Sequence, residues 1–136
     1  MQMPHLPAPT DAELEILQVL WGKSPESVRY VNECVNRRRA GGQKEIGYTT
    51  TLKQMQVMLE KGLLQRDIVD KNHLYRPALS REATQARAIQ DLAALAFDGS
   101  ASSLVMRAIG SGQATAEELE KIKALIREVE NKGREV

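Results

Sequence analysis

Aromatic side chains are scarce in this chain: one Phe, one Trp and three Tyr make up 4% of its 136 residues. Its core must therefore be aliphatic, assembled from Leu, Ile, Val, Met and Ala. Cys34 is the only cysteine. A single thiol excludes a disulfide framework and any multi-cysteine zinc site, and it fits a reducing cytoplasm. No apolar run approaches the length of a membrane span. Met1 to Pro9 lacks the apolar core of a signal peptide. A cytoplasmic chain without a membrane partner is the expectation. Catalytic signatures are missing too. There is no GxSxG, HExxH, P-loop or dinucleotide fingerprint. His5 and His73 stand far apart without a cysteine or histidine partner. The carboxylates read as solvated helix faces, so no catalytic residue, metal or cofactor is expected.

Charge is present but unevenly placed. The net charge is only +1. Between Asn36 and Leu79, however, nine Lys/Arg (Arg37, Arg38, Arg39, Lys44, Lys53, Lys61, Arg66, Lys71, Arg76) face four acids, a local excess of +5. From Ser80 onward eight basic residues meet nine acidic ones. A basic segment followed by a near-neutral one suits a nucleic-acid reader with a separate assembly element. It suits a charged, solvated loop equally well.

Local signals divide the chain. Met1 to Pro9 holds three of the five prolines and is expected to be a flexible arm. Thr10-Asp11-Ala12-Glu13 has the form of a capping box and opens a helix that Gly22 ends. After the Ser24-Pro25 turn, Ser27 can cap a second helix. Val28, Val31 and Val35 form its inner stripe, with Cys34 beside them, and it runs out in Arg37-Arg38-Arg39. A loop at Ala40-Gly41-Gly42 leads to a third helix, which carries Leu52, Met55, Met58 and Leu59 inward and stops at Gly62. Leu63 to Val69, a turn at Asp70-Lys71-Asn72, and His73 to Leu79 read as a hairpin. Three helices followed by a hairpin is the winged-helix order. The expected fold is mainly α with a small β-wing, the winged helix-turn-helix occupying residues 10–79 and a helical segment residues 80–136.

The third helix turns a polar side outward, including Thr49, Thr50, Lys53, Gln54 and Gln56. Recognition helices need short or flexible hydrogen-bonding side chains at their N-terminal end, which points at base edges. Thr49 and Thr50 can meet bases, thymine methyls or phosphate. Lys53 and Gln54 can reach guanine and adenine edges, or the backbone. The wing adds Arg66, Lys71, Asn72, His73 and Arg76, whose natural partners are phosphates. Any surface helix has a polar face, so the placement in the winged-helix order carries the weight here. Arg37, Arg38, Arg39 and Lys44 either touch the duplex or solvate a loop. Cys34 reads as a buried, inert thiol.

Beyond Ser80 one helix runs through Ala83, Ala86, Ile89, Leu92, Ala93 and Leu95 to a break at Asp98-Gly99-Ser100. A short helix follows over Ser102 to Ile109, then a break at Gly110-Ser111-Gly112. A second capping box, Thr115 to Glu118, opens the last helix. Its stripe is Leu119, Ile122, Ile126 and Val129. With Ile89, Leu92 and Leu104, these residues need a cover, because leaving a large aliphatic side chain wet forgoes about 1.5–3 kcal/mol. Either a second copy of the chain supplies it, as in the common symmetric dimers, or the helices fold back on the first three. Two functional classes follow: a DNA reader assembled as a homodimer, or a winged-helix module that grips a partner protein.

Three blocks carry a family resemblance. The run from Thr10-Asp11-Ala12-Glu13-Leu14 to Leu20-Trp21 resembles the opening helix of the penicillinase-repressor (BlaI/MecI/CopY) family. Tyr48-Thr49-Thr50-Thr51-Leu52 through Leu59-Glu60-Lys61-Gly62-Leu63-Leu64 is similar to that family's recognition helix. Asp98-Gly99-Ser100 through Ser103-Leu104-Val105 resembles its segment before the final helices. The resemblance spans about Thr10 to Lys132. It implies a winged-helix transcriptional repressor bound to a palindromic promoter operator as a homodimer, paired through its C-terminal helices. The family's recognition residues carry over at Thr49 and Thr50, and less directly at Lys53 and Gln54. In antibiotic-responsive members a membrane sensor metalloprotease triggers cleavage of an Asn-Phe bond, which aligns here with Arg107-Ala108, a departure from the pattern. The cysteine cluster of the copper-responsive members has no counterpart in Asn131 to Val136, which argues against copper sensing by that route.

Overall fold

A computed structural model describes residues 8–134. The arm expected over residues 1–9 therefore lies outside the described residues, except for Ala8 and Pro9. Helix α1 (Asp11–Gly22) starts at the Thr10 cap. There the threonine hydroxyl accepts from the Glu13 N–H at 3.2 Å, while the Glu13 carboxylate accepts from the Thr10 N–H at 2.9 Å. Helix α2 (Val28–Arg39) is capped by Ser27, whose hydroxyl accepts from the Tyr30 N–H. Helix α3 (Tyr48–Lys61) ends on Gly62 in the left-handed region (φ 85°), and the Leu63 N–H closes back onto the Met58 carbonyl at 2.9 Å. A side chain at that φ would be strained, which is why glycine suits the position.

Strands β1 (Leu64–Val69) and β2 (Asn72–Pro77) pair antiparallel, with Leu64 opposite Pro77 and Val69 opposite Asn72. The turn is thus two residues, Asp70 and Lys71, rather than the expected three. Both adopt positive φ (50° and 69°), the backbone a tight primed turn requires. The hairpin also begins one residue later than the pattern suggested, because Leu63 is occupied in closing the end of α3. A third, single-residue pairing joins Glu26 to Tyr75, with bonds of 3.0 and 2.8 Å in the two directions. It ties the start of α2 to the wing.

These elements enclose one aliphatic core: Ile16, Leu17, Val19, Leu20, Val28, Val31, Val35, Met55, Met58, Leu63, Leu64 and Tyr75 are all buried. The expected inner residues of α2 and α3 occupy it, with Leu52 and Leu59 half-buried at its edge. Trp21 reaches across to donate its indole N–H to the Leu79 carbonyl at 3.1 Å. The chain is a winged helix followed by three further helices, α4 (Arg81–Ala96), α5 (Ala101–Gly110) and α6 (Ala116–Arg134).

The backbone divides into two compact units inside α4, between Ala88 and Ile89. In the first, Thr84 of α4 is buried and shares a small apolar recess with Leu17, Leu63 and Leu79. In the second, α4 ends on the left-handed pair Asp98 and Gly99, and the Gly99 N–H bonds to the Ala93 carbonyl. Ser100 caps α5. Thr115 and Glu118 form the second capping box, with bonds of 2.9 and 3.1 Å. The Thr115 N–H holds the Glu118 carboxyl below its ordinary value. Among the described residues, no single helix is long and apolar enough to cross a membrane.

Candidate nucleic-acid interface

Helix α3 is held by α2 through two asparagines. The Asn36 side chain donates to the Ile46 carbonyl at 2.8 Å and accepts from the Ile46 N–H at 2.7 Å. Asn32 donates to the same carbonyl and to the Thr51 hydroxyl, both at 2.9 Å. Gly47 offers no side-chain cap, so this clamp on the preceding residue fixes where α3 begins. Thr51 is buried by it, while its neighbours Thr49 and Thr50 stay exposed. Thr49, Thr50, Lys53 and Gln56 lie on the open face, and Gln54 is half-buried.

An open groove of about 780 Å³ runs between the start of α2, one side of α3 and the wing. Arg29, Tyr48, Gln56, Arg66, Lys71 and His73 are among its lining residues. Of the expected wing residues, Arg66, Lys71, Asn72 and His73 line it, and all four are exposed. Arg76 is exposed as well but is engaged by Asp67, with Nε 3.3 Å from the carboxylate. Arg29 and Tyr48 were not singled out by the sequence. The guanidinium carbon of Arg29 sits 5.8 Å from the centre of the Tyr48 ring, a pairing that only the fold brings together.

The basic run at the end of α2 separates into different roles. Arg39 forks onto Glu15 of α1, at 3.0 and 2.8 Å, and also donates to the Lys44 carbonyl. It staples the α2–α3 loop and is not free for a duplex. Arg37 and Arg38 are exposed and line a different depression, beside Val19, Lys23, Tyr30 and Cys34. Lys61 is taken by Glu13, at 2.8 Å. Burial alone would raise the Glu13 carboxyl, but the Lys61 ammonium and the Thr10 N–H outweigh it and hold the group below its ordinary value. Cys34 is half-buried. The neighbouring Cys34 thiol, with burial, pushes the Tyr30 phenol above the usual value. Among the described residues, no group of three or more His, Cys, Asp or Glu side chains is placed to hold a metal ion.

The apolar residues beyond α3 also separate. Leu104, Leu119 and Ile122 are half-buried, whereas Ile89, Leu92, Ile126 and Val129 are exposed, Val129 by 62%. Leu95, Val105, Met106 and Leu125, which the stripe pattern did not single out for pairing, are exposed as well. Among the described residues α5 and α6 bury none of their side chains.

The sequence profile of the penicillinase repressor family matches residues 9–128. Two curated proteins described as transcriptional regulator BlaI, from Mycobacterium tuberculosis strains CDC 1551 / Oshkosh and ATCC 25618 / H37Rv, are each 30% identical over 89 residues. That alignment covers 65% of this chain and 61% of each relative, so the chain spans under two thirds of their length.

Proposed function

Because the chain belongs to the penicillinase repressor family, we propose that it is a transcriptional repressor that occupies a palindromic operator as a homodimer. The observation that carries this reading is the exposed polar face of α3, flanked by a groove whose cations Arg29, Arg66 and Lys71 form no ion pair with a carboxylate among the described residues. In this reading Thr49, Thr50, Lys53 and Gln54 meet base edges, and Arg66, Lys71, Asn72 and Arg76 meet phosphate. Residues 10–79 act as the reader, and residues 80–136 pair two copies. Gln54 must rotate outward to reach a base. Arg76 must exchange Asp67 for a phosphate, which an exposed ion pair permits at small cost.

Pairing rests on Ile89, Leu92, Leu104, Leu119, Ile122, Ile126 and Val129. Two linked readers gain through effective concentration, so anything that separates the copies releases the DNA. A sensor protease is one such agent. The Arg107-Ala108 bond is exposed but helical, so a protease must first unwind the end of α5. Acting on chromosomal DNA, the protein works in the cytoplasm without a cofactor.

The test is fluorescence anisotropy of the purified chain with a labelled duplex from upstream of its own coding sequence, against a shuffled duplex, across a salt series. Selective binding that weakens steeply with salt and drops in Thr50→Ala and Lys53→Ala bears out the repressor reading. Equal, weak binding to both duplexes rejects it and leaves a module that grips protein.

A further inference from the structure

We propose that Arg29, braced on the Tyr48 ring, is a phosphate anchor opposite the wing, so that one DNA strand passes through the groove between them. The inference rests on the operator-binding reading and adds a contact outside α3 and the wing. Two carboxylates share the groove with Arg29, Arg66 and Lys71, and one of them, Glu26, is already paired with Lys23 at 3.4 Å. The remaining balance is positive, and the groove is open rather than enclosed, which fits a phosphodiester strand better than a small molecule. Arg29 is exposed and lies in the first turn of α2. Among the described residues, no carboxylate engages it. Its guanidinium carbon lies over the Tyr48 ring, 5.8 Å from the centre, a cation–π contact that uses none of its N–H donors and leaves them available for a bidentate hold on phosphate oxygens. The ring also narrows the rotamers Arg29 must give up on binding. The Glu26–Tyr75 pairing fixes the start of α2 relative to the wing, so the two walls of the groove keep their separation.

Arg29→Ala, Tyr48→Ala, their double variant and Arg37→Ala are compared with the wild type by the same anisotropy salt series. Thermal melts by circular dichroism check that each variant is folded. Arg37 serves as the control because it carries the same charge and lines a different depression. Arg29→Ala should weaken binding to the upstream and the shuffled duplex about equally, by about tenfold, and lower the slope of log affinity against log salt by about one. Tyr48→Ala should cost less, and the double variant should be no weaker than Arg29→Ala alone, because the ring acts through the arginine. Arg37→Ala should leave the slope unchanged. The proposal fails if Arg29→Ala keeps the wild-type slope, or if Arg37→Ala lowers it as much. Should the wild type show no salt-dependent DNA binding at all, the operator reading falls and this anchor falls with it.

Discussion

The two units of this protein use the same aliphatic alphabet and end in opposite states. In the winged helix, Ile16, Leu20, Val31, Met55 and Met58 are each 1% exposed or less. Beyond Ile89, the one hydrophobic side chain among the described residues that is buried is Ala93, while Leu95 is 85% exposed and Met106 65%. Both units carry apolar residues at helical spacing. Only the first has elements arranged around them on several sides: three helices, a hairpin and the extra Glu26–Tyr75 pairing. Amphipathic periodicity thus says that a face must be covered, without saying by what.

Several substitutions would break or sharpen this contrast. Leu20→Ala leaves a cavity in a closed core and should lower stability by about 2–5 kcal/mol. Leu95→Ala, by comparison, should change intrinsic stability by about 0.5 kcal/mol or less in a monomer. Urea titrations at several protein concentrations distinguish the two: a large, concentration-dependent loss in Leu95→Ala would mean that its side chain is covered in an assembly. Next comes Ile126→Asp, which sets a charge in the α6 stripe. It should halve the mass seen in sedimentation velocity and reduce affinity for the upstream duplex by about a hundredfold, since linkage between readers commonly supplies that factor. The melt of the winged helix should not move. An unchanged mass would show that this stripe is not the pairing face.

Smaller effects should come from within the reader. Asn36→Ala removes both bonds to the Ile46 backbone and should cost about 1–3 kcal/mol, with faster hydrogen exchange confined to the start of α3. Uniform exchange would assign Asn36 to general stability alone. The Glu13–Lys61 pair should contribute about 1 kcal/mol. Glu13 titrates below its ordinary value in the folded chain. Its contribution is therefore complete above the usual carboxylate range and is lost as pH falls through and below that range. In Glu13→Gln the melting temperature should depend less on pH in that acidic window. An unaltered pH profile would contradict the assignment.

Much of the fold was legible because its punctuation is local. Thr10, Ser27, Gly62 and Thr115 act on backbone groups within a few residues of themselves, and their chemistry names their positions. The hairpin was legible from its strands, but the turn was read one residue too long, since neither Asp70 nor Lys71 is the glycine that usually marks left-handed backbone. Tertiary chemistry was not legible. Asn32 and Asn36 look like ordinary polar positions of a surface helix until Ile46 is brought beside them, 10 residues on from Asn36. Arg39 looks like its neighbours Arg37 and Arg38 until Glu15 appears 24 residues upstream. For the same reason the α3 face could be read from its own spacing, whereas Arg29 and Tyr48, from different helices, could not.

Sedimentation equilibrium of the purified chain over a range of concentrations tests most directly whether the second unit is completed by another copy. Association to twice the chain mass of 15.1 kDa, abolished in Ile126→Asp, is the predicted result. A mass of one chain at every concentration, in wild type and variant alike, would contradict it.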